Sequence, residues 1–324
     1  VNDRWSVSAQ FAVGGCGGKG EFAEGLPMFE ELVGGQLAGA QANSYGLSQN
    51  LTGKQFFYGF QVGATYRLTD NFSVFGGARG VLANCAYEGS ISNITANGVA
   101  AGSYLSGVKA MVDAGLAQLE PVKDVAGYKE KYQELAAQSA ALAQGAALLG
   151  SDFILDCAQS GFGITPIIGL DWNLGKLNLA AKYEFRTKIN LENDSENTSA
   201  NVTALMPAYK DGAKVRSDIP AILTLVAQYQ FTDAVRVMGG FHYYWDKEAK
   251  GTPIKKGDNT WEANLGIEWD VNDKILLSLG GQRTQYGFDD ADMADTNFNI
   301  SSTAICLGGA YKFSEKMKLN VGYM

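Results

Sequence analysis

The chain has 324 residues, with 40 Gly, 15 Tyr and 16 Phe but only 6 Pro. That composition suits long paired strands joined by tight turns, in one mid-sized domain spanning 1–324. A net charge of −8 without any Arg/Lys run argues against a nucleic-acid partner, and no run of ~18 apolar residues supplies a membrane-spanning helix, which leaves spanning by strands open.

Period-two alternation begins at once. Residues 5–13 put Trp5, Val7, Ala9, Phe11 and Val13 on one face and Ser6, Ser8 and Gln10 on the other. Gly14, Gly15, Gly17 and Gly18 follow; glycines weaken strand pairing and permit bulges. From the residues alone they read as the start of a flexible loop. Residues 56–67 alternate Phe56, Tyr58, Phe60, Val62, Ala64 and Tyr66 against Gly59, Gln61, Gly63, Thr65 and Arg67.

The insert 91–152 breaks the pattern. Residues 104–119 and 126–149 are rich in Ala, Leu, Gln, Glu and Lys, which predicts two helices, separated at Pro121. A helical hairpin packed on a barrel mouth and an apolar landing surface for a greasy ligand are both compatible with it.

Alternation resumes over 158–172 and is clearest over 177–191. There Leu177, Leu179, Ala181, Tyr183, Phe185, Ile189 and Leu191 share one parity, and Asn178, Lys182, Glu184, Arg186, Lys188 and Asn190 the other. Residues 235–246 and 261–270 repeat it, with Arg236 and His242 on the polar side.

The connections fall into two classes. One set is tight, starts from an aromatic and turns on Asp, Asn, Gly or Ser: Tyr66-Arg-Leu-Thr-Asp-Asn, Trp172-Asn-Leu-Gly-Lys, Phe231-Thr-Asp, Trp269-Asp-Val-Asn-Asp-Lys and Phe313-Ser-Glu-Lys. The other set, 15–53, 91–152, 192–217, 247–259 and 287–297, is long and varied. Short turns at one end and long loops at the other are the pattern of a transmembrane antiparallel β-barrel. A soluble sandwich would need a partner layer for every apolar face. The expected fold class is therefore all-β, a barrel with a helical extracellular insert, its apolar faces toward lipid and its polar faces toward a lumen.

On that register Arg79, Lys182, Arg186, Lys188, Arg236 and His242 face the lumen and are the candidate ligand-binding residues. A carboxylate ligand needs such a cation, although the same groups can simply pair with Glu184, Glu262 and Glu268. The four cysteines are dispersed and the one histidine stands apart from them, so neither a metal site nor a cofactor is expected. Cys85 and Cys157 flank the insert and could pair if their strands are neighbours; small residues filling strand positions is the plainer account. No Gly-x-Ser-x-Gly element, phosphate loop or other catalytic constellation appears.

In order and spacing the chain resembles the FadL/TodX family of outer-membrane channels for long-chain fatty acids and other hydrophobic compounds. Val1-Asn-Asp-Arg-Trp-Ser resembles the start of the family's third strand, and Tyr66-Arg-Leu-Thr-Asp-Asn-Phe-Ser-Val its next short turn and strand. Tyr183-Glu-Phe-Arg-Thr-Lys-Ile-Asn-Leu, Ile219-Pro220-Ala221 and Tyr244-Trp245-Asp246 resemble later strand segments. About eleven strands are legible in this chain. The family barrel has fourteen, so the resemblance implies a barrel incomplete at both ends. It implies location in the outer membrane of a Gram-negative bacterium, among outer-membrane lipid and lipopolysaccharide, as a monomer. It implies passive uptake of a fatty acid or another hydrophobic small molecule, with lateral release into the bilayer through a gate at the glycine cluster. The family's N-terminal hatch has no counterpart here, and a basic residue that the family can place before the insert corresponds to Asn84. A barrel acyl hydrolase, needing a reactive Ser beside His242, and a structural or adhesive barrel are the alternatives.

Overall fold

The computed structural model describes residues 3–13, 18–251, 254–255 and 257–324. In chain order its strands are β1 (Trp5–Val13), β2 (Gly18–Phe22), β3 (Tyr45–Thr69), β4 (Phe72–Ala96), β5 (Val99–Ala100), β6 (Phe153–Leu174), β7 (Leu177–Glu184) and β8 (Asn190–Asp194). They continue with β9 (Lys214–Arg216), β10 (Ile222–Gln230), β11 (Val235–Tyr244), β12 (Trp261–Asp270), β13 (Ile275–Gln285), β14 (Ser302–Ser314) and β15 (Met317–Tyr323). The α-helices are α1 (Pro27–Gly39), α2 (Ala101–Leu119), α3 (Lys129–Leu148) and α4 (Ala200–Leu205). No described helix is long and apolar enough to cross a membrane.

All fifteen strands belong to one sheet, whose main path β1-β3-β4-β6-β7-β10-β11-β12-β13-β14-β15 has eleven members, as the sequence pattern anticipates. Neighbours on the path are antiparallel throughout. The short turns lie at one end, where local chemistry closes them. Gly175 takes φ +74 between β6 and β7, a conformation that a Cβ would strain. Asn272 accepts from the backbone N–H groups of Lys274 and Ile275 at 2.9 and 3.0 Å between β12 and β13.

The alternation is realised as two unlike faces. Phe60, Leu82, Phe162, Ile164, Leu265, Leu279 and Ile305 are exposed on the outer face. The inner face carries packed and polar groups, Val81, Ala83, Gln159 and Thr165 among them, all buried. Aromatics border the outer apolar belt. At the short-turn end Tyr229–Phe231 and Tyr311–Phe313 are edge-to-face pairs with centroids 4.8 Å apart, and Trp172 and Trp269 are exposed. At the other end Tyr183 meets Phe185 at 4.8 Å and Trp245 at 5.5 Å. Such girdles mark the two interfaces of a membrane barrel.

The structure corrects the strand over 177–191. Its alternation is not continuous: β7 ends at Glu184, and Ile189 and Leu191, expected toward lipid, are buried on the inner face. Against β6, Ile167 pairs with Glu184 and Ser160 with Glu192, so seven steps on β6 match eight on the partner. The extra residue is a β-bulge at Phe185–Arg186, and it exchanges the parity that faces inward. Two prolines account for its position. Pro166 on β6 accepts from the Phe185 N–H at 3.0 Å but has no N–H to return, and Pro220 stands at the same level on the other neighbour. Lys188, between the buried Thr187 and Ile189, consequently takes the outer face and is exposed.

The long-loop end carries a cap. The insert helices span Ala101–Leu119 and Lys129–Leu148, close to the expected bounds, with a 3₁₀ turn over Glu120–Val122 at Pro121. They pack with α1 and the tops of β4 and β6 in one buried cluster, Val33, Leu37, Ile91, Ile94, Leu105, Leu142, Leu149 and Phe153. The segment 15–53, expected to be a loop, holds β2, α1 and the first part of β3. Helix α1 escapes the sequence reading because PMFEELVGGQLAG contains Gly34, Gly35 and Gly39, poor helix residues that tertiary packing of Val33 and Leu37 overrides. Of the expected gate, Gly14, Gly15 and Gly17 lie outside the described residues. Gly18 opens β2, whose register on β3 is offset from that of β1: Val13 pairs with Tyr58 and Gly18 with Gln55.

Candidate functional site

The inner face divides into an apolar upper part and a polar lower part. Above, Ile189 and Leu191 of the β8 segment meet Phe57, Val81, Ala83 and Cys85 of β3 and β4. They do so across β6, because the intervening inner-face residues are Gly161 and Gly163. A Cβ on Gly161 would stand 2.6 Å from the carbonyl oxygen of Asn190 and 3.0 Å from the Leu191 side chain. Cys85 and Cys157 are on neighbouring strands but diagonal to one another, Cys85 opposite Gln159 and Cys157 opposite Tyr87. Both thiols are free and buried. Diagonal positions on paired strands are ~7–8 Å apart, beyond ordinary disulfide reach.

Below this cluster lies the charged part of the lumen. Glu184, at the top of β7, is buried and holds two cations: Arg79 of β4 contacts it directly, and Lys182 Nζ lies 2.7 Å away. The Asp171 carboxylate nearby accepts from Asn178 at 2.9 Å, and Glu184 is shared by the two cations. Under it is a cavity of about 310 Å³ lined by Thr65, Ser73, Phe75, Asp171, Lys182 and Thr224. The Phe75 ring supplies its apolar floor. It can lie against the wall because Gly63 and Gly77 beneath it have no side chains; a Cβ on Gly77 would meet the ring at 2.8 Å. An apolar floor with one amine at the rim suits a small hydrophobic ligand, with or without a carboxylate.

The other expected lumen residues are more widely dispersed. Arg236 is taken up by Glu268 at 2.5 Å and Asp270 at 3.1 Å. His242 Nδ1 lies 3.1 Å from the Thr224 hydroxyl. Glu262 stands opposite His242 on β12 but accepts from the Thr284 hydroxyl at 3.0 Å. Thr224 sits within a strand paired on both sides, so the backbone N–H groups around it are committed to the ladder. Arg186 is drawn to the bulge, 3.7 Å from Asp218, and shares that carboxylate with Arg216. Of the residues expected in the lumen, Arg79 and Lys182 meet at Glu184, whereas Phe75 is not among those expected; the glycines that admit its ring continue the polar parity on which Gly59 and Gly63 are read.

At the mouth, loops from distant parts of the chain meet. The backbone N–H of Met28, in the first turn of α1, donates to Asp295 at 2.8 Å. Leu26 and Pro27 there border Met293 and Phe298 from the β13–β14 loop.

No family model and no curated protein matches the chain. Solved structures do. The toluene transporter TodX of P. putida superposes with TM-score 0.53 at 13% identity, covering 99% of this chain and 72% of that one. The chain has the fold of the FadL-type β-barrels. A Pseudomonas aeruginosa FadL homologue matches with TM-score 0.54 at 13% identity, over 86% of this chain and 65% of that one. A TodX monoaromatic hydrocarbon channel deltaS2 mutant matches with TM-score 0.52 at 16% identity, over 99% and 73%. This FadL-type barrel carries its helical insert on the side of the long loops.

Proposed function

We propose that this chain is a passive uptake channel for hydrophobic small molecules in a bacterial outer membrane. The observation that carries the reading is the combination of an outer apolar belt with a lumenal cavity that pairs the Phe75 ring with the Lys182 amine. The solved neighbours, a toluene transporter and a FadL homologue, support it at the level of fold. The barrel and its insert act as one unit in this reading. A ligand is captured at the mouth beside α1 and the insert helices, descends along the Ile189–Leu191 cluster, and settles on Phe75. A carboxylate head is then held by Lys182, and a neutral hydrocarbon binds by burial alone at ~0.8 kcal/mol per CH₂. Release sideways into the bilayer keeps the apolar chain out of water and avoids that same transfer cost.

The test compares uptake of a long-chain fatty acid and of a monoaromatic hydrocarbon by cells producing the chain and by cells lacking it. At least one should enter faster. Lys182→Met should slow fatty-acid entry about tenfold, the loss of one charged hydrogen bond, and leave hydrocarbon entry unchanged. Equal rates with and without the protein for both compounds would overturn the proposal.

A further inference from the structure

We propose that the outer face of β8 and β9 holds the phosphate-bearing headgroup of an anionic lipid in the outer leaflet, an inference that rests on the chain spanning a membrane. The bulge at Phe185–Arg186 creates this face. Because parity changes there, Arg186, Lys188 and Asn190 follow the lipid-facing Tyr183 and Phe185 on the outside of the wall. Register brings Arg216 opposite Asn190, with its guanidinium 3.2 Å from the Asn190 amide oxygen. Two cations, Arg186 and Arg216, share one carboxylate, that of Asp218, whose side chain is fully buried. Asp218 is further occupied by the backbone N–H groups of Ile189 and Lys250, each at 3.2 Å. Glu192, on the same outward parity, is paired to Lys214 at 3.3 Å. Lys188 forms no ion pair among the described residues, and the Arg216 Nε is buried with no hydrogen-bond partner.

The height fits a headgroup. Leu179 pairs with Trp172 at the lower girdle. From Leu179 to Lys188 is nine steps, ~30 Å along a strand at ~3.3 Å per residue, and ~23 Å along the barrel axis at a ~40° tilt. That is close to the ~25 Å of an outer-membrane apolar band. The next strand offers the other half of the site. On the β6–β7 register Ile168 falls opposite Tyr183 and Leu170 opposite Ala181, both exposed on the outer face below Lys188. A lipid with its acyl chain on Ile168 and Leu170 brings its phosphate to Lys188 and to the Arg186 donors left free by Asp218 and the Glu248 carbonyl oxygen.

The experiment uses the full chain, purified in detergent, with lipid retention read by native mass spectrometry. The probes are a diphosphorylated lipid A, zwitterionic phosphatidylethanolamine and inorganic phosphate. Lipid A should be retained over phosphatidylethanolamine, millimolar inorganic phosphate should not displace it, and the double variant R186Q/K188Q should weaken retention ~30-fold. K188Q alone, which breaks no ion pair, should weaken it several-fold and serves if the double variant does not fold. R283Q is the control: Arg283 is also exposed on the wall, but it stands on β13, away from Lys188 and Arg216, so its loss should leave retention unchanged. Unchanged retention in K188Q, an equal loss in R283Q, or full displacement by phosphate would overturn the site. Flotation with liposomes separates this outcome from failure of the membrane reading: a chain that does not insert fails both, and one that inserts but does not retain lipid A fails only the headgroup site.

Discussion

At Gly163 a Cβ would stand 2.6 Å from the Thr187 methyl, 2.8 Å from Ile189 and 2.9 Å from the Lys188 carbonyl oxygen. None of these can retreat, because Thr187 and Ile189 are fully buried and the third is backbone. Gly76, by contrast, has nothing within 4 Å of where its Cβ would go. Gly163→Val should therefore destabilise the barrel by ~1–3 kcal/mol through overpacking, and Gly76→Ala by less than ~0.5 kcal/mol. Urea unfolding of the refolded protein in detergent measures both. Equal midpoints for the two variants would mean that the β8 segment does not lie against β6. Glu184 is the other decisive residue. Its removal as Glu184→Gln leaves Arg79 and Lys182 side by side without their carboxylate. Stability should fall by ~1–3 kcal/mol, while a carboxylate ligand should bind more tightly. Weaker fatty-acid binding in Glu184→Gln would place the ligand's head away from this pair.

The insert is the element with the clearest pH response. Asp113 of α2 is held below its ordinary 3.8 by a hydrogen bond from Lys109 and another from the Ser139 hydroxyl of α3. A lowered carboxylate stabilises the folded state above its unfolded pKa and loses that contribution as pH falls through the folded value. The helix pair should thus be unaffected from pH 7 to about 5 and loosen only as pH drops below 3.8. Proteolysis within the connection 123–128 at a series of pH values, with an acid-stable protease, reads this. Asp113→Asn should be cut more readily at neutral pH and lose the acid dependence; the same cleavage profile as the unaltered chain would assign the tie elsewhere.

For the whole molecule, the register sets what each face can tolerate. Cysteines placed at Leu225, Leu265 and Ile305 should resist a membrane-impermeant thiol reagent in liposomes, since all three are exposed on the apolar face. Cysteines at Thr224 and Lys182, beside the lumenal cavity, should react. An Arg at Leu265 should cost ~2–4 kcal/mol near the bilayer midplane. Rapid labelling of the first group would reject the membrane-spanning assignment.

The sequence by itself determined the wall. Alternation is a local property of an extended chain, so Phe60, Phe162 and Leu265 are legible as one face wherever the strand runs straight. Turn chemistry is equally local, and Gly175 and Asn272 mark their turns without help from the rest of the molecule. Only the tertiary structure decided where the alternation changes phase. The bulge at Phe185–Arg186 depends on Pro166 and Pro220, which lie on the two flanking strands and withhold their N–H groups at one level. Nothing within 177–191 announces it, so Ile189 and Lys188 exchange the faces that parity alone assigns them. The candidate site followed the same division: Lys182, Arg79 and their pairing with Glu184 were legible as inward charges, but the Phe75 floor over Gly63 and Gly77 was not, because it depends on the cross-strand register and not on the parity of one strand.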